Sequence, residues 1–490
     1  MENHPVTENT PKSFPTGKTE LLFAGLILIC GWLICNSVFY GGLYLGFALF
    51  SGLALILSTL YLLRSGCKLT GYTGALLGLS LVLTAAFARS DDAFVKFVMA
   101  CFLLVSSNLG LCLLANQNRR DSRGFLSIFD APRTMFTLGC GKLAKALDGI
   151  FDVFRQGGSV VKRSGAIGLG LVIAVPVLAI LIPLLVGADA AFEAVLDLLP
   201  EIEFGEILTS VLTGSILAWW LYTRGTALRH APKAQPKAAA NRGLSAATVN
   251  TVLIAVSIVY VAYLLSQLAY FSGGLSGILP DGYTLSEYAR RGFFEMAWIC
   301  AVNLTVIAFS VGLLQKDGNA PLLTRILCLF IAIITLFLVV AASAKMYLYI
   351  NSYGLTRLRV LTEIIMVFLG ISTALVTVWL FVPKLPYMKA IVLTAMILCT
   401  LTAWADVDTV VAKYNVEAYQ SGKLATVDTD YLGSLGDGAI PYLYTLTSDS
   451  DPDVAYAAKQ SMRYTHVYLC YDFRNWNIAS ALAEQYTEKP

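Results

Sequence analysis

Long apolar runs constrain this chain more than any other feature of its sequence. The run "ILCLFIAIITLFLVVAAS" (residues 326–343) contains no charged side chain, and similar runs recur through most of the chain. Lipid cannot hydrogen-bond an exposed backbone amide, so a stretch of about 20 apolar residues in a bilayer must form a helix. The sequence therefore predicts an all-α, polytopic transmembrane helix bundle.

Scanning for such runs predicts about eleven spans, each long enough to cross a bilayer once. They cover residues 21–39, 42–63, 70–87, 94–114, 165–186, 207–222, 249–270, 292–314, 322–350, 358–382 and 388–404. The composition agrees, because only 14% of the residues are charged, whereas soluble domains carry about 25%. The net charge of +3 is too small to indicate nucleic acid as a partner.

Lysine and arginine are unevenly distributed between alternate loops. Nine of the 35 fall between residues 116 and 163, whereas residues 187–206 contain six acids and no base. Cytoplasmic loops of membrane proteins are enriched in Lys and Arg. We therefore expect a multi-pass protein of the cell (plasma) membrane, with its N-terminus in the cytoplasm. An odd number of spans then places the C-terminus outside.

The predicted organisation has five parts. They are a disordered cytoplasmic N-terminus (1–20), a four-helix membrane part (21–115), a cytoplasmic amphipathic insert (116–164), a seven-helix membrane part with a cytoplasmic linker at 224–246 (165–404), and a small extracytoplasmic helical tail (405–490). The insert alternates apolar and basic residues at helical spacing. That pattern suits either a helix lying on anionic inner-leaflet lipids or a connector packed on the bundle.

The tail contains a predicted helical pair. One helix covers residues 439–446, and a second opens at Asp451 and Pro452, because proline is favoured in the first turn of a helix. A single pair of this kind is similar to one HEAT repeat and cannot bury its apolar face alone. We expect the tail to pack on the membrane part or on a protein partner.

Charged side chains gather near the extracytoplasmic ends of three predicted spans. The stretches "ARRGFFEMAW" (289–298) and "KMYLYINSYGLTRLRVLTEIIM" (345–366) contain them. They are Arg291, Glu295, Lys345, Arg357, Arg359 and Glu363. A charged side chain inside a bilayer costs about 3 kcal/mol, so such groups pair with one another or face water. We call these six residues the candidate polar vestibule.

Two interpretations of the vestibule stay open. In one, the bases attract anions and the acids hold the bases in place. In the other, Lys and Arg snorkel to the interface among headgroup-level tyrosines, and the acids only neutralise them. Arg359 and Glu363 stand four residues apart on one helix face. If Glu363 pairs with Arg359 or Lys345, Glu363→Gln should lower stability in detergent.

No catalytic motif is present. The sequence lacks GxxxxGK[ST], HExxH, GxSxG and any CxxC pair, and it has three histidines. These patterns supply phosphate-binding, zinc-hydrolytic and acyl-transfer chemistry. We therefore predict no cofactor, no metal site and no enzymatic activity.

Several blocks of sequence resemble one family. They read "IPLLVGADAAF" (182–192), "YARRGFFEMAWICAVNL" (288–304), "YINSYGLTRLRV" (349–360), "VAKYNVEAYQSGKLATVDTDYLGSLGDGAIPYL" (411–443) and "FRNWNIASALA" (473–483). Together they are similar to a family of bacterial polytopic membrane proteins defined only by a domain of unknown function. The resemblance runs from about residue 165 to the end. It implies an integral membrane protein with no established activity, and it supplies no ligand or catalytic residues.

Three functions are compatible with these observations. The first is a non-enzymatic envelope sensor, scaffold or accessory protein whose tail binds a partner outside the membrane. The second is a transporter or channel-like permease that uses the vestibule. The third is an intramembrane transferase. A water-connected cavity reaching Glu295, Lys345 and Glu363 would favour transport, and an apolar patch on the tail would favour partner binding.

Overall fold

The computed structural model describes most of the chain. The described residues are 17–118, most of 132–149, three single residues between 177 and 185, and then 204–230, 244–274, 293–312, 314, 321–464 and 472–487. Most of the predicted span at 165–186 and most of the predicted linker at 224–246 lie outside these residues. Every regular element within the described part is helical, apart from one isolated bridge between Leu244 and Leu314.

In the part of the chain that the structure describes, ten long helices belong to the membrane bundle. They are α1 (Lys18–Asn36), α2 (Leu45–Leu63), α3 (Gly71–Ala86), α4 (Ala93–Leu114), α5 (Phe204–His230), α6 (Ala246–Gly274), α7 (Phe293–Gly312), α8 (Leu322–Tyr353), α9 (Arg357–Phe381) and α10 (Tyr387–Ala405). Helix α1 begins inside the predicted disordered segment 1–20. It does so because the Glu20 carboxylate accepts a hydrogen bond from the Gly17 amide (2.9 Å) and satisfies one free donor of the first turn.

Seven helices in the described part are long and apolar enough to cross a membrane. They are Lys18–Gly41, Leu45–Leu63, Ala93–Leu114, Ala246–Leu265, Leu322–Tyr353, Arg357–Phe381 and Tyr387–Ala405. Two shorter apolar helices, Gly71–Ala86 and Glu295–Val311, lie at further predicted spans. The predicted helical membrane bundle is confirmed, whereas the predicted count of about eleven spans is not established.

Helices α1 and α5 pack antiparallel at very short range. Tyr40, beyond the end of α1, donates a hydrogen bond to the Gly205 carbonyl at the start of α5, and Glu20 pairs with Arg229 at the other end. Between these contacts a Cβ added at Gly31 would lie 2.5 Å from the carbonyl oxygen of Gly214. Such close backbone approach is what small residues permit in membrane helix pairs.

Part of the predicted insert packs on the bundle. Leu138 lies in a π-helical turn (Thr134–Cys140), and Leu138 and the fully buried Ala146 belong to the apolar core formed with α1, α2, α4 and α5. Within the described residues this segment therefore behaves as a packed connector. Contact with anionic lipid across 116–164 stays a prediction.

The tail follows α10 directly. It contains α11 (Val407–Gln420), α12 (Thr429–Gly433), α13 (Ile440–Leu446), α14 (Pro452–Tyr464) and α15 (Ile478–Thr487). Helices α13 and α14 are the predicted pair, with Pro452 in the first turn as expected. Leu355 just before α9, together with Val360 and Leu361 in its first turns, packs against the core of the tail. The tail thus packs on the membrane bundle, and we call the end of the bundle that it covers the tail side.

The ends of α4 and α5 lie at opposite ends of the bundle. Asp92, at the start of α4, is on the tail side, so the last turn of α4 is at the far side. Helix α5 begins on the tail side beside Tyr40.

Candidate functional site

Five of the six predicted vestibule residues lie within the described part of the chain, on three different helices. Arg291 lies outside the described residues. Glu295 is exposed on α7, and Lys345 is half-buried near the end of α8. Arg357, Arg359 and Glu363 lie on α9, and each has its own set of contacts.

Arg359 closes the turn between α8 and α9. Its guanidinium donates hydrogen bonds to the carbonyls of Tyr353 (3.2 Å) and Gly354, and it lies 4.0 Å from the ring centre of Tyr349. The carbonyl hydrogen bonds and the cation–π contact compensate the positive charge of Arg359 within the α8–α9 turn. The arginine therefore has a structural role at the helix turn.

Glu363 faces α8 rather than Arg359. Its polar partner is Ser343, and its buried Oε1 atom has no hydrogen-bond partner among the residues that the structure describes. The predicted pairing of Arg359 with Glu363 is absent from the described residues, because Arg359 turns back to the carbonyls of the α8–α9 turn. The sequence spacing permits the pair, but the carbonyls at that turn provide closer acceptors.

Arg357 joins the bundle to the tail. Its Nε and Nη2 atoms each donate to the Asp408 carboxylate on α11 at 2.7 Å, and Nε lies 2.9 Å from Asp92 Oδ2 before α4. The Asp408 side chain is fully buried and that of Asp92 is 3% exposed. A two-bond contact between guanidinium and carboxylate has the strongest geometry available to such a pair.

More charged groups surround this pair. Arg89 lies 3.7 Å from the Asp406 carboxylate, and the Asp437 amide donates to Asp91 Oδ2 at 3.2 Å. Together the group comprises Arg89, Asp91, Asp92, Lys96, Arg357, Asp406, Asp408 and Asp437. We call these eight residues the charge cluster. It contains five acids and three bases, and it lies between the bundle and the tail.

Lys96 is the most unusual member of the charge cluster. It is 4% exposed, lies one turn into α4, and places Nζ 3.0 Å from the ring centre of Tyr44. Within the described part of the chain, Nζ has no hydrogen-bond partner. A buried ammonium group normally makes charge-assisted hydrogen bonds, so this position calls for a functional explanation.

Asp406 connects the last membrane helix to the tail through a left-handed residue. It has φ 55°, follows Ala405 at the end of α10 and precedes Val407 at the start of α11. Positive φ is uncommon for a residue with a side chain, and such residues concentrate at functional sites. The Asp406 carboxylate also accepts a hydrogen bond from Thr409 (2.7 Å), which fixes the turn.

Burial changes the acidity of two tail carboxyls in the charge cluster. It raises the pKa of Asp408 to about 7, with Arg357 acting in the opposite direction. Burial also raises the pKa of Asp406, against the effects of Thr409 and Arg89. Removing a carboxylate from water disfavours its charged form, which is the dominant cause in both cases.

A second set of contacts fixes the far end of the tail. Arg474 bonds Asn36 at the end of α1 and Glu206 at the start of α5, each at 3.1 Å, and it also pairs with Asp472. The amides of Ile478 and Ala479 donate to the carbonyls of Ala88 and Arg89 (2.9 and 3.2 Å), and those of Leu45 and Gly46 donate to Trp476 and Arg474 (3.2 and 3.3 Å). The tail therefore attaches to the bundle through both main-chain and ionic contacts.

The far side carries a separate polar group. Glu20 is buried, lies 3.2 Å from Arg229 and 3.4 Å from His230, and bonds the hydroxyl of Tyr61. This group ties the ends of α1, α2 and α5 together. Among the described residues, no group of three or more His, Cys, Asp or Glu side chains could hold a metal ion.

Sequence reasoning identified one member of the charge cluster, Arg357. The others lie in "ARSDDAFVK" (88–96) and "ADVD" (405–408), at the borders of two predicted spans. Paired aspartates at two span borders that face the same side were an available signal. No feature of the sequence predicts that Lys96 is buried, because the side chain of a lysine near a span border ordinarily extends to water.

Comparison with known proteins gives one match. No curated protein and no solved structure matches the chain. The sequence pattern of a family described as Domain of unknown function (DUF4153) matches residues 23–446. The match starts in α1 and ends with α13, so it includes every described member of the bundle and the whole charge cluster. The chain belongs to this family, the Domain of unknown function (DUF4153) family.

Proposed function

We propose that this membrane protein is a non-enzymatic sensor or accessory protein of the cell envelope whose tail passes a signal between a partner and the bundle. The observation that carries the proposal is Asp406. This single buried residue joins the last membrane helix to the tail, and its carboxylate lies in the charge cluster. A movement of α11 therefore acts directly on α10 and on Arg357 of α9.

The orientation is part of the proposal. Basic residues of the sequence favour a cytoplasmic far side, and the tail side then faces outward. In that orientation the charge cluster and the tail lie at the extracytoplasmic end of the bundle, on the side where an envelope sensor receives its signal.

The outer surface of the tail supports binding of a protein partner. Tyr456 on α14 and Phe473 before α15 are 69% and 55% exposed, and Leu482 on α15 is also exposed. Exposed aromatic side chains are enriched at protein interfaces. A partner with an apolar contact surface fits these residues.

Affinity capture from membranes with a lysine-directed crosslinker tests this proposal. The intact protein should retain a specific partner, and the double variant Tyr456→Ser/Phe473→Ser should lose it. Lys413→Ala, an exposed change on α11, serves as the matched control. Equal capture by all three proteins, or no partner for any of them, would contradict the proposed role of the tail.

A permease is the second candidate function, and one observation favours it. The Oε1 atom of Glu363 is buried between α8 and α9, and no residue in the described part of the chain makes a hydrogen bond with it. Ionisable side chains within spans mark ion and proton pathways in transport proteins. Purified protein in liposomes loaded with a pH-sensitive dye tests this function: a flux lost in Glu363→Gln would support it. Absence of flux under an imposed ion gradient would favour the sensor.

A further inference from the structure

The charges of the cluster do not balance. Without Asp437, whose carboxylate accepts a hydrogen bond from Ser480, the four remaining acids still outnumber the three bases, so these seven residues would carry a net charge of −1 when fully ionised. Four of the acids, Asp92, Asp406, Asp408 and Asp437, are each less than a tenth exposed. Uncompensated charge away from water is strongly unfavourable, and buried groups take up protons to avoid it. The cluster therefore calls for additional positive charge.

The hydrogen bonds of the charge cluster also indicate that a positive charge is missing. Within the described residues, Asp91 Oδ1 and Asp406 Oδ1 are buried acceptors without a donor. Both aspartates act on Lys96 electrostatically, and they also act on each other. A protonated carboxyl gains an O–H donor while keeping acceptor capacity, whereas two carboxylates offer only acceptors. One added proton thus supplies both a missing charge and a missing donor.

Every element that surrounds Asp406 and Asp408 contributes a charged or titratable group. The loop before α4 provides Arg89, Asp91 and Asp92, and α4 provides Lys96; α9 provides Arg357, α12 provides Tyr431, and the turn before α13 provides Asp437. Arg357 holds Asp408 in two hydrogen bonds, whereas the closest base to Asp406 is 3.7 Å away. The elements thus enclose the two tail carboxyls from both the bundle and the tail.

We propose that the charge cluster is a proton-binding site and that uptake of a proton tightens the attachment of the tail to the bundle. The position of the tail then reports the acidity of the medium on the tail side. This regulation rests on the proposed role of the tail in signalling, but its physical basis lies in the cluster alone.

The direction of the effect follows from the two states of the tail. In the attached state, burial raises the pKa of Asp406 above its ordinary value of 3.8, and it raises the pKa of Asp408 from the same value to about 7. In a detached tail both carboxyls face water and regain the ordinary value. The attached state therefore binds the proton more tightly, so acid favours attachment. Attachment weakens as the pH rises from about 4 to about 7 and changes little above that range.

Amide hydrogen exchange on the full-length protein in lipid nanodiscs measures this attachment. The amides of Ile478 and Ala479 donate to bundle carbonyls, and the amides of Leu45 and Gly46 donate to tail carbonyls. After correction for the intrinsic pH dependence of exchange, we expect their protection to fall about tenfold or more between pH 5 and pH 8. Protection that is equal at both pH values would overturn the proposal without any variant.

Two variants and one control assign the effect to the charge cluster. Asp406→Asn replaces the carboxyl whose Oδ1 has no donor within the described residues by a neutral amide, so most of the pH dependence should disappear. Lys96→Met removes a positive charge from the cluster and should move the midpoint upward by about one pH unit. Asp453→Asn, an exposed change on α14, should behave as the native protein. Unchanged pH dependence in both Asp406→Asn and Lys96→Met would place the titrating group elsewhere.

The proton must also be distinguished from a metal cation. At fixed pH, replacing choline chloride with sodium chloride at equal ionic strength should leave protection unchanged. A sodium-dependent increase would overturn the assignment to a proton. A pH-dependent tail that captures no partner would contradict the proposed function but not this site. A captured partner together with a pH-independent tail would contradict the proton-binding site but not the proposed function.

Discussion

Arg357 at the start of α9 holds Asp408 of the tail through two hydrogen bonds of 2.7 Å, and the Asp408 side chain is fully buried. The two residues are 51 positions apart, and three membrane-associated elements meet at their contact. The same guanidinium also faces Asp92 at 2.9 Å. One arginine thus compensates two carboxylates that belong to different parts of the fold.

Removing this arginine should destabilise the protein. Arg357→Met leaves Asp92 and Asp408 as buried acids without their base, and breaking a buried pair in this way costs about 3 kcal/mol. Denaturant unfolding in mild detergent, followed by tail-specific proteolysis, measures the loss. The tail should become cleavable at lower denaturant than in the native protein.

A surface pair in the tail provides the control for this prediction. Lys413 and Glu417 lie 3.9 Å apart on the exposed face of α11. Lys413→Met should change the unfolding free energy by less than about 0.5 kcal/mol, because exposed pairs of this spacing contribute little. Similar losses of unfolding free energy in Arg357→Met and Lys413→Met would show that the buried contact stabilises the protein no more than the exposed pair does.

Glu363→Gln should be tolerated. The sequence predicted a pair with Arg359 or Lys345 and hence a loss of stability. The structure instead gives Glu363 a hydrogen bond with Ser343, and its buried Oε1 has no partner within the described ranges. Glutamine keeps the shape and one hydrogen bond while removing a buried charge. We expect the midpoint of thermal unfolding in detergent to be unchanged or higher in this variant. A clear decrease would support the predicted ion pair instead.

The apolar pattern predicted the bundle well because it follows from one strong constraint. A bilayer leaves no other way to satisfy the backbone of a run such as residues 326–343, and α8 indeed covers it. The tail helices were also predictable, since Pro452 marks the start of α14 and the apolar spacing continues through it.

The charge cluster was not predictable, because its members come together only in three dimensions. Asp92 and Asp408 are separated by most of the chain, and nothing local pairs either of them with Arg357. The i, i+4 spacing of Arg359 and Glu363 suggests an ion pair. The Arg359 guanidinium instead donates hydrogen bonds to carbonyls of the α8–α9 turn. Spacing along one helix is a weak guide when a nearby helix end offers acceptors.

The contact between α1 and α5 predicts different effects for two glycines of one helix. A Cβ at Gly31 would lie 2.5 Å from the Gly214 carbonyl and 2.8 Å from Ala218 Cβ, whereas a Cβ at Gly25 meets nothing within 4 Å. Gly31→Ala should cost about 2 kcal/mol through overpacking. Gly25→Ala should be neutral or stabilising by up to about 1 kcal/mol, because alanine favours the helix.

Unfolding of both alanine variants in the same detergent separates packing from helix propensity. Both changes add one methyl group to α1, so any general effect on the helix is shared. Gly31→Ala should be the less stable of the two. A Gly31→Ala protein as stable as Gly25→Ala would mean that α1 and α5 do not approach each other as described.

Labelling of introduced cysteines tests which side of the membrane the tail occupies. In a background with the native cysteines replaced by serine or alanine, Tyr456→Cys lies on the exposed surface of α14, and Lys68→Cys lies in the exposed loop between α2 and α3 at the far side. The distribution of basic residues predicts a cytoplasmic far side. A membrane-impermeant maleimide should therefore label Tyr456→Cys in intact cells and Lys68→Cys only after permeabilisation. The reverse pattern would place the charge cluster on the cytoplasmic side, and the tail would then respond to internal rather than external acidity.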